Sequence, residues 1–272
     1  MMANLIGIQE AVNNFKKLIE DSILQGGIEA KEAMIRSSRP ISCIHEAVKS
    51  ALISAGVSRL RIFPPLGATS PELKLAGFIK HKHQDVCVAP EGFTPESEIM
   101  KEGLLQEVSD YYGKAYTERT LSINVRSQMS SLAKNFDTLY ERTIAEAQNL
   151  HVRCPKMVLG EVYMIAVKEY NPIAMKHNKV EFINKVGAVQ KYIKSFQAIN
   201  GRPDFTKQDY KYEKVCLLIV DFGKTPAKIY STNEELIVDS LMPADSQANI
   251  VELNWESFIP SILKTYELRF GK

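Results

Sequence analysis

The residues of this 272-residue chain best suited to chemistry are hard oxygen donors beside a guanidinium group. Glu46, Asp85 and the run Ser122-Ile123-Asn124-Val125-Arg126-Ser127-Gln128 follow one another in that order. Side chains alternate along a strand, so Asn124 and Arg126 share one face. Carboxylate and amide oxygens are ligands of the kind Mg²⁺ takes, and a neighbouring cation can stabilise developing negative charge. Other chemistries find less support. The five histidines form no H-E-x-x-H pattern, and His81 and His83 lack a third soft ligand for zinc. Cys43, Cys87, Cys154 and Cys216 lie far apart with no C-x-x-C pair, which reads as buried, reduced thiols. Ala166-Val167-Lys168 and Asp221-Phe222-Gly223 are kinase-like fragments without a Gly-rich loop or a His-Arg-Asp loop. Gly223-Lys224-Thr225 ends like a phosphate-binding loop, but Leu218 stands where its first glycine belongs.

Helical spacing of Leu5, Ile8, Val12, Phe15, Leu18 and Ile19 predicts a helix over 4–24, stopped by Gly26-Gly27. A second helix is expected over 42–54, carrying Glu46 on its polar side. Strands are expected at 60–63, across 76–88 around a polar centre, and at 121–125. The Pro/Gly/Glu-containing stretch 90–117 reads as an excursion with a short helix near 104–112. The clearest helix covers 130–150, where Leu132, Phe136, Leu139, Thr143, Ile144 and Ala147 form an apolar stripe. Strands at 157–167 and 215–222 and helices at 180–198, 234–241 and 255–270 follow. The alternation predicts an α/β (α+β) chain, a central mixed β-sheet flanked by helices. Without repeats or linkers, 1–272 reads as a single domain, with 1–40 as an N-terminal helical segment. Hydrophobic residues at 45% and charged residues at 24% exclude a disordered chain or a disulfide scaffold. No run approaches the roughly 18–20 apolar residues of a membrane span, and no secretory leader opens the chain, so a cytoplasmic protein away from membranes is expected.

The helix Glu46, the strand Asp85 and the Asn124-x-Arg126 strand leading into a helix resemble the PD-(D/E)XK nuclease superfamily. That is the fold of many type II restriction endonucleases. Gln84-Asp85-Val86-Cys87-Val88 places an acid at the start of an apolar strand half, and Val125-Arg126-Ser127-Gln128 is similar to the V-K-S-Q stretch that often follows the superfamily's second acid. The resemblance covers roughly 40–220 and continues through Ser127 to Arg142. It implies catalytic roles for Asp85, Asn124, Arg126, Glu46 and Gln128, with Asp85, Glu46 and Asn124 as Mg²⁺ ligands. Asn124 and Arg126 depart from the acid and lysine of the motif: the amide adds no charge, and Arg effectively cannot release a proton. Glu161 is the spare acid.

The same resemblance implies Mg²⁺-dependent, site-specific hydrolysis of double-stranded DNA by a homodimer. Ser127, Ser130, Lys134 and Asn135, with Arg142 near them, are the expected DNA contacts. Residues 168–214 carry ten Lys/Arg against five Asp/Glu, although the whole chain is only +2. That excess suits phosphate contacts or plain solvation. Two other readings stay open: a catalytically degenerate DNA-binding protein of the same fold, and an unrelated α/β interaction module.

Overall fold

The most apolar segments of the chain become the middle of one sheet. The computed structural model describes residues 4–183 and 189–271. Helices α1 (Ile8–Arg36) and α2 (Arg39–Ser54) lead into β1 (Ile62–Phe63). A hairpin of β2 (Lys74–Ala76) and β3 (His81–His83) precedes β4 (Val86–Val88), and a second hairpin pairs β5 (Glu98–Ile99) with β6 (Ser109–Asp110). Then come α3 (Lys114–Glu118), β7 (Leu121–Gln128), α4 (Leu132–His151) and β8 (Val158–Ala166). The remainder is β9 (Glu169–Tyr170), α5 (Pro172–Met175), β10 (Phe182–Ile183), α6 (Val189–Ala198), β11 (Lys214–Asp221), β12 (Lys228–Tyr230), α7 (Asn233–Val238) and α8 (Trp255–Phe270).

Six strands form the central sheet in the order β1-β4-β7-β8-β11-β12. Strands β7, β8 and β11 run parallel, whereas β1, β4 and β12 pair antiparallel with their neighbours. This is the mixed, helix-flanked sheet of an α/β protein. Alternation sorts its side chains into two layers. Ile123, Val125, Val162 and Leu218 pack with Phe15, Val48 and Phe258 of α1, α2 and α8. Leu159, Tyr163, Ile165 and Leu217 pack with Phe136 and Leu150 of α4 and with Tyr192 and Phe196 of α6. By the same alternation Asn124, Arg126 and Glu161 belong to the second layer, beneath α4. Gly160 lets α8 approach the sheet: a Cβ there would lie 2.6 Å from Ile262 Cδ1 and 2.9 Å from Phe258.

Several elements differ from the sequence expectation. Gly26-Gly27 bends α1 rather than ending it: Gly27 takes φ +61°, and a Cβ on it would lie 2.4 Å from the Met175 carbonyl oxygen. The expected strand over 76–88 is divided between β3 and β4, with Asp85 at the break. No helix forms near 104–112, where residues turn between β5 and β6; the short helix is α3. Of the expected helix over 180–198, Val189–Ala198 is helical (α6), whereas Phe182 and Ile183 pair with β9; residues 184–188 lie outside the described residues. All four cysteines are free, with Cys43 only half-buried. Among the described residues no helix is long and apolar enough to cross a membrane.

Candidate active site

Strands β4, β7 and β8 bring charged side chains together under α4. Asp85, at the entry to β4, accepts a hydrogen bond on Oδ2 from the Val125 N–H at 2.8 Å, which ties it to the neighbouring strand. The parallel register sets Asn124 opposite Glu161. Asn124 is buried; its Oδ1 accepts from Lys82 Nζ at 2.7 Å, and its Nδ2 lies 3.4 Å from the Tyr212 hydroxyl. Lys82 also pairs with Glu146, which α4 turns toward the sheet. Arg126 pairs with the same Glu146 and donates to Thr143 Oγ1 at 3.0 Å. Arg142, one turn before Glu146, lies 3.2 Å from its Oε1.

Glu161 is placed differently. It is 0% exposed, with the Asn124 amide and the Tyr212 hydroxyl as its polar neighbours. Its nearest cation is Arg126, whose Nε stands 3.5 Å from Oε1. Burial pushes the Glu161 carboxyl up, against the opposing pull of Arg126 and Lys82, and the charge of Asp85 adds to the rise. Burial and the neighbouring Arg126 guanidinium bring the Lys82 ammonium down to about 8. A cavity of about 320 Å³ opens beside the Val125-to-Ser127 end of β7, with Asp85, Lys82, Arg126 and Glu146 along its wall. Ligand crevices in open α/β sheets gather at such carboxyl ends of strands.

Asp85, Arg126 and Ser127 line one cavity, whereas Asn124 is buried beside it and held by Lys82. Glu46 is not among the residues lining it. Its Oε2 accepts from the Gly67 N–H at 2.7 Å, and its carboxylate pairs with Lys49, which in turn holds the Pro65 and Ala68 carbonyls. The α2 side chain that senses Asp85 is instead His45, whose Nε2 is buried without a partner; burial lowers its pKa while Asp85 opposes that. Gln128 is structural: its Oε1 accepts from the Tyr163 and Tyr192 hydroxyls, and its Nε2 donates to the Ser131 carbonyl at 3.2 Å. Ser130, Lys134 and Asn135 are exposed and lie outside the cavity lining. The basic stretch is partly spent on internal pairing, as in Lys168 with Asp221 at 2.9 Å and Arg202 with Asp209 at 2.5 Å. Sequence reasoning missed Lys82 and Glu146. The one signal was the His-Lys-His polar centre of an otherwise apolar segment, read as a strand interior.

No protein-family model, curated protein or solved structure matches this chain. The chemistry of the site therefore rests on its geometry.

Among the described residues, no three His, Cys, Asp or Glu side chains converge as a ready-made metal cage. Mg²⁺ seldom uses one; it takes one or two carboxylates and completes its shell with water and substrate phosphate. The carboxylates of Asp85 and Glu161 fit that donor set, whereas Asn124 Oδ1 is already taken by Lys82. The carboxylate of Glu146 is committed to its three cationic partners.

Proposed function

We propose that this chain is a Mg²⁺-dependent deoxyribonuclease of the restriction type, cutting double-stranded DNA at a specific site as a cytoplasmic homodimer. The observation that carries the reading is the meeting of Asp85, Lys82 and Arg126 on one cavity, with the buried Glu161 beside Arg126. Support comes also from the order of elements. Helix α2, the strand β4 that Asp85 enters, strand β7 and helix α4 come in the order that the PD-(D/E)XK resemblance implies.

Asp85 and Glu161 would hold the metal, which when bound supplies charge neutralisation and a more acidic water. The protein's own part is electrostatic. Lys82, Arg126 and Arg142 present positive charge to a phosphate entering the cavity, preorganised by their common anchor Glu146. Arg126 holds its proton and so positions and stabilises only. Lys82, brought down to about 8, can exchange a proton near neutral pH. The Val125 N–H keeps Asp85 aimed while the substrate moves.

The Asn124 amide at the motif's acid position and the three cations gathered on Glu146 favour a second reading, a DNA-binding protein of this fold without cleavage. Incubating the protein with unmethylated plasmid and phage DNA, with Mg²⁺ or with EDTA, separates the two. Discrete fragments in Mg²⁺ alone are the expected result. Retarded but uncut DNA in both Mg²⁺ and Mn²⁺ would establish the second reading, and neither cutting nor binding would remove both.

A further inference from the structure

One wall of the cavity takes no part in the charge network. Ile35 near the end of α1, Pro40 and Ile41 at the start of α2, and Phe15 make it apolar. Ile35 is 42% exposed and the Arg142 side chain, which lines the same cavity, is 66% exposed, so apolar and cationic lining both meet solvent. A groove built only to hold phosphate needs cations and N–H donors; aliphatic side chains at its mouth add nothing to that task. A base contributes the complementary apolar face, and a phosphate the complementary charge. The cavity, at about 320 Å³, sits at the low end of the roughly 300–1,000 Å³ typical of small-ligand pockets. That is room for one nucleotide and too little for a stacked base pair.

We propose that this wall seats the base of a single unstacked nucleotide while its phosphate lies against Lys82, Arg126 and Arg142. The substrate class is then DNA with an unpaired nucleotide at the site, already frayed or gapped, or turned out of the duplex by the protein. The inference rests on the nuclease reading and adds the state of the DNA to it. Unstacking is cheapest where a nucleotide has no pairing partner, so a pocket of this kind discriminates by pairing state.

The test compares two short duplexes of one sequence, fully paired or with one nucleotide opposite an abasic site, by fluorescence anisotropy in Ca²⁺. The wild type is expected to bind the unpaired form roughly tenfold more tightly. Ile35→Asn, at an exposed position that leaves the fold intact, and the Ile35→Asn/Ile41→Asn double variant are expected to narrow that ratio stepwise toward one. Binding of the fully paired duplex should hardly change, since the cations remain. Equal wild-type affinity for the two duplexes overturns the proposal, as does a preference that survives both variants. Either result leaves the nuclease reading standing if plasmid DNA is still cut in Mg²⁺. Absence of any DNA binding or cleavage overturns both together.

Discussion

Two glutamates buried against the same sheet are treated in opposite ways. Glu213, just before β11, is 0% exposed at its side chain, yet cations ring it. Its Oε2 accepts from the Leu159 N–H at 2.7 Å, and Arg269 stands 2.8 Å from Oε1. His151, 3.4 Å away, and Arg202, 3.5 Å away, complete the shell. Burial alone would raise its pKa, but His151, Arg269 and the Leu159 N–H together hold it below the usual carboxylate value. Glu161 is as deeply buried, has Arg126 at 3.5 Å as its one close cation among the described residues, and is pushed upward. A buried charge kept for stability closes its network, because a lone one costs several kcal/mol. One left with a single close cation beside a solvent-reaching cavity marks a place where the fold gives up stability for something outside itself.

The sharpest way to break this contrast is to neutralise each acid in turn. Glu213→Gln strands its cations and is expected to cost about 3–5 kcal/mol in urea unfolding at pH 7. Glu161→Gln should change stability less, by about 1 kcal/mol, since one cation at 3.5 Å loses its partner where Glu213 holds several. Because the Glu213 pKa is depressed, its stabilisation is complete above the ordinary value of 4.5 and is lost as pH falls below it. The stability gap between wild type and Glu213→Gln should therefore shrink in acid.

A smaller effect is expected at Gly160, which faces α8 rather than either acid. Gly160→Ala forces Ile262 and Phe258 aside and should lower stability by about 1–3 kcal/mol in the same unfolding assay. The smallest concerns Lys82. With its pKa brought to about 8 against an ordinary 10.5, the unfolded chain binds more protons between those values. Wild type should accordingly gain stability relative to Lys82→Met as pH rises through that window. A flat difference across it would mean that Lys82 is not depressed by its surroundings.

Much of this arrangement was legible in advance. The apolar run at 215–222, the stripe on α4 and the strand at 157–167 set out the sheet and its cover, because buried parallel strands read as continuous hydrophobic stretches. Asp85, Asn124 and Arg126 were placed together by their order and by strand alternation. Glu46 and His45 show where such reasoning ends. Neighbours on a helix point about a hundred degrees apart, and the loop that captures Glu46 through the Gly67 N–H has no signature of its own. Lys82 and Glu146 escaped for a related cause. Their meeting depends on the β2–β3 hairpin packing against α4, a long-range contact no local pattern encodes.

The most direct measurement is the rate of Mg²⁺-dependent DNA cleavage by Glu161→Gln against wild type, with equal melting temperatures confirming equal folds. The account expects the variant to lose activity by at least roughly a hundredfold, as removal of a group that stabilises the transition state does. Cleavage at the wild-type rate would show that the buried carboxylate beside Arg126 has no part in the chemistry.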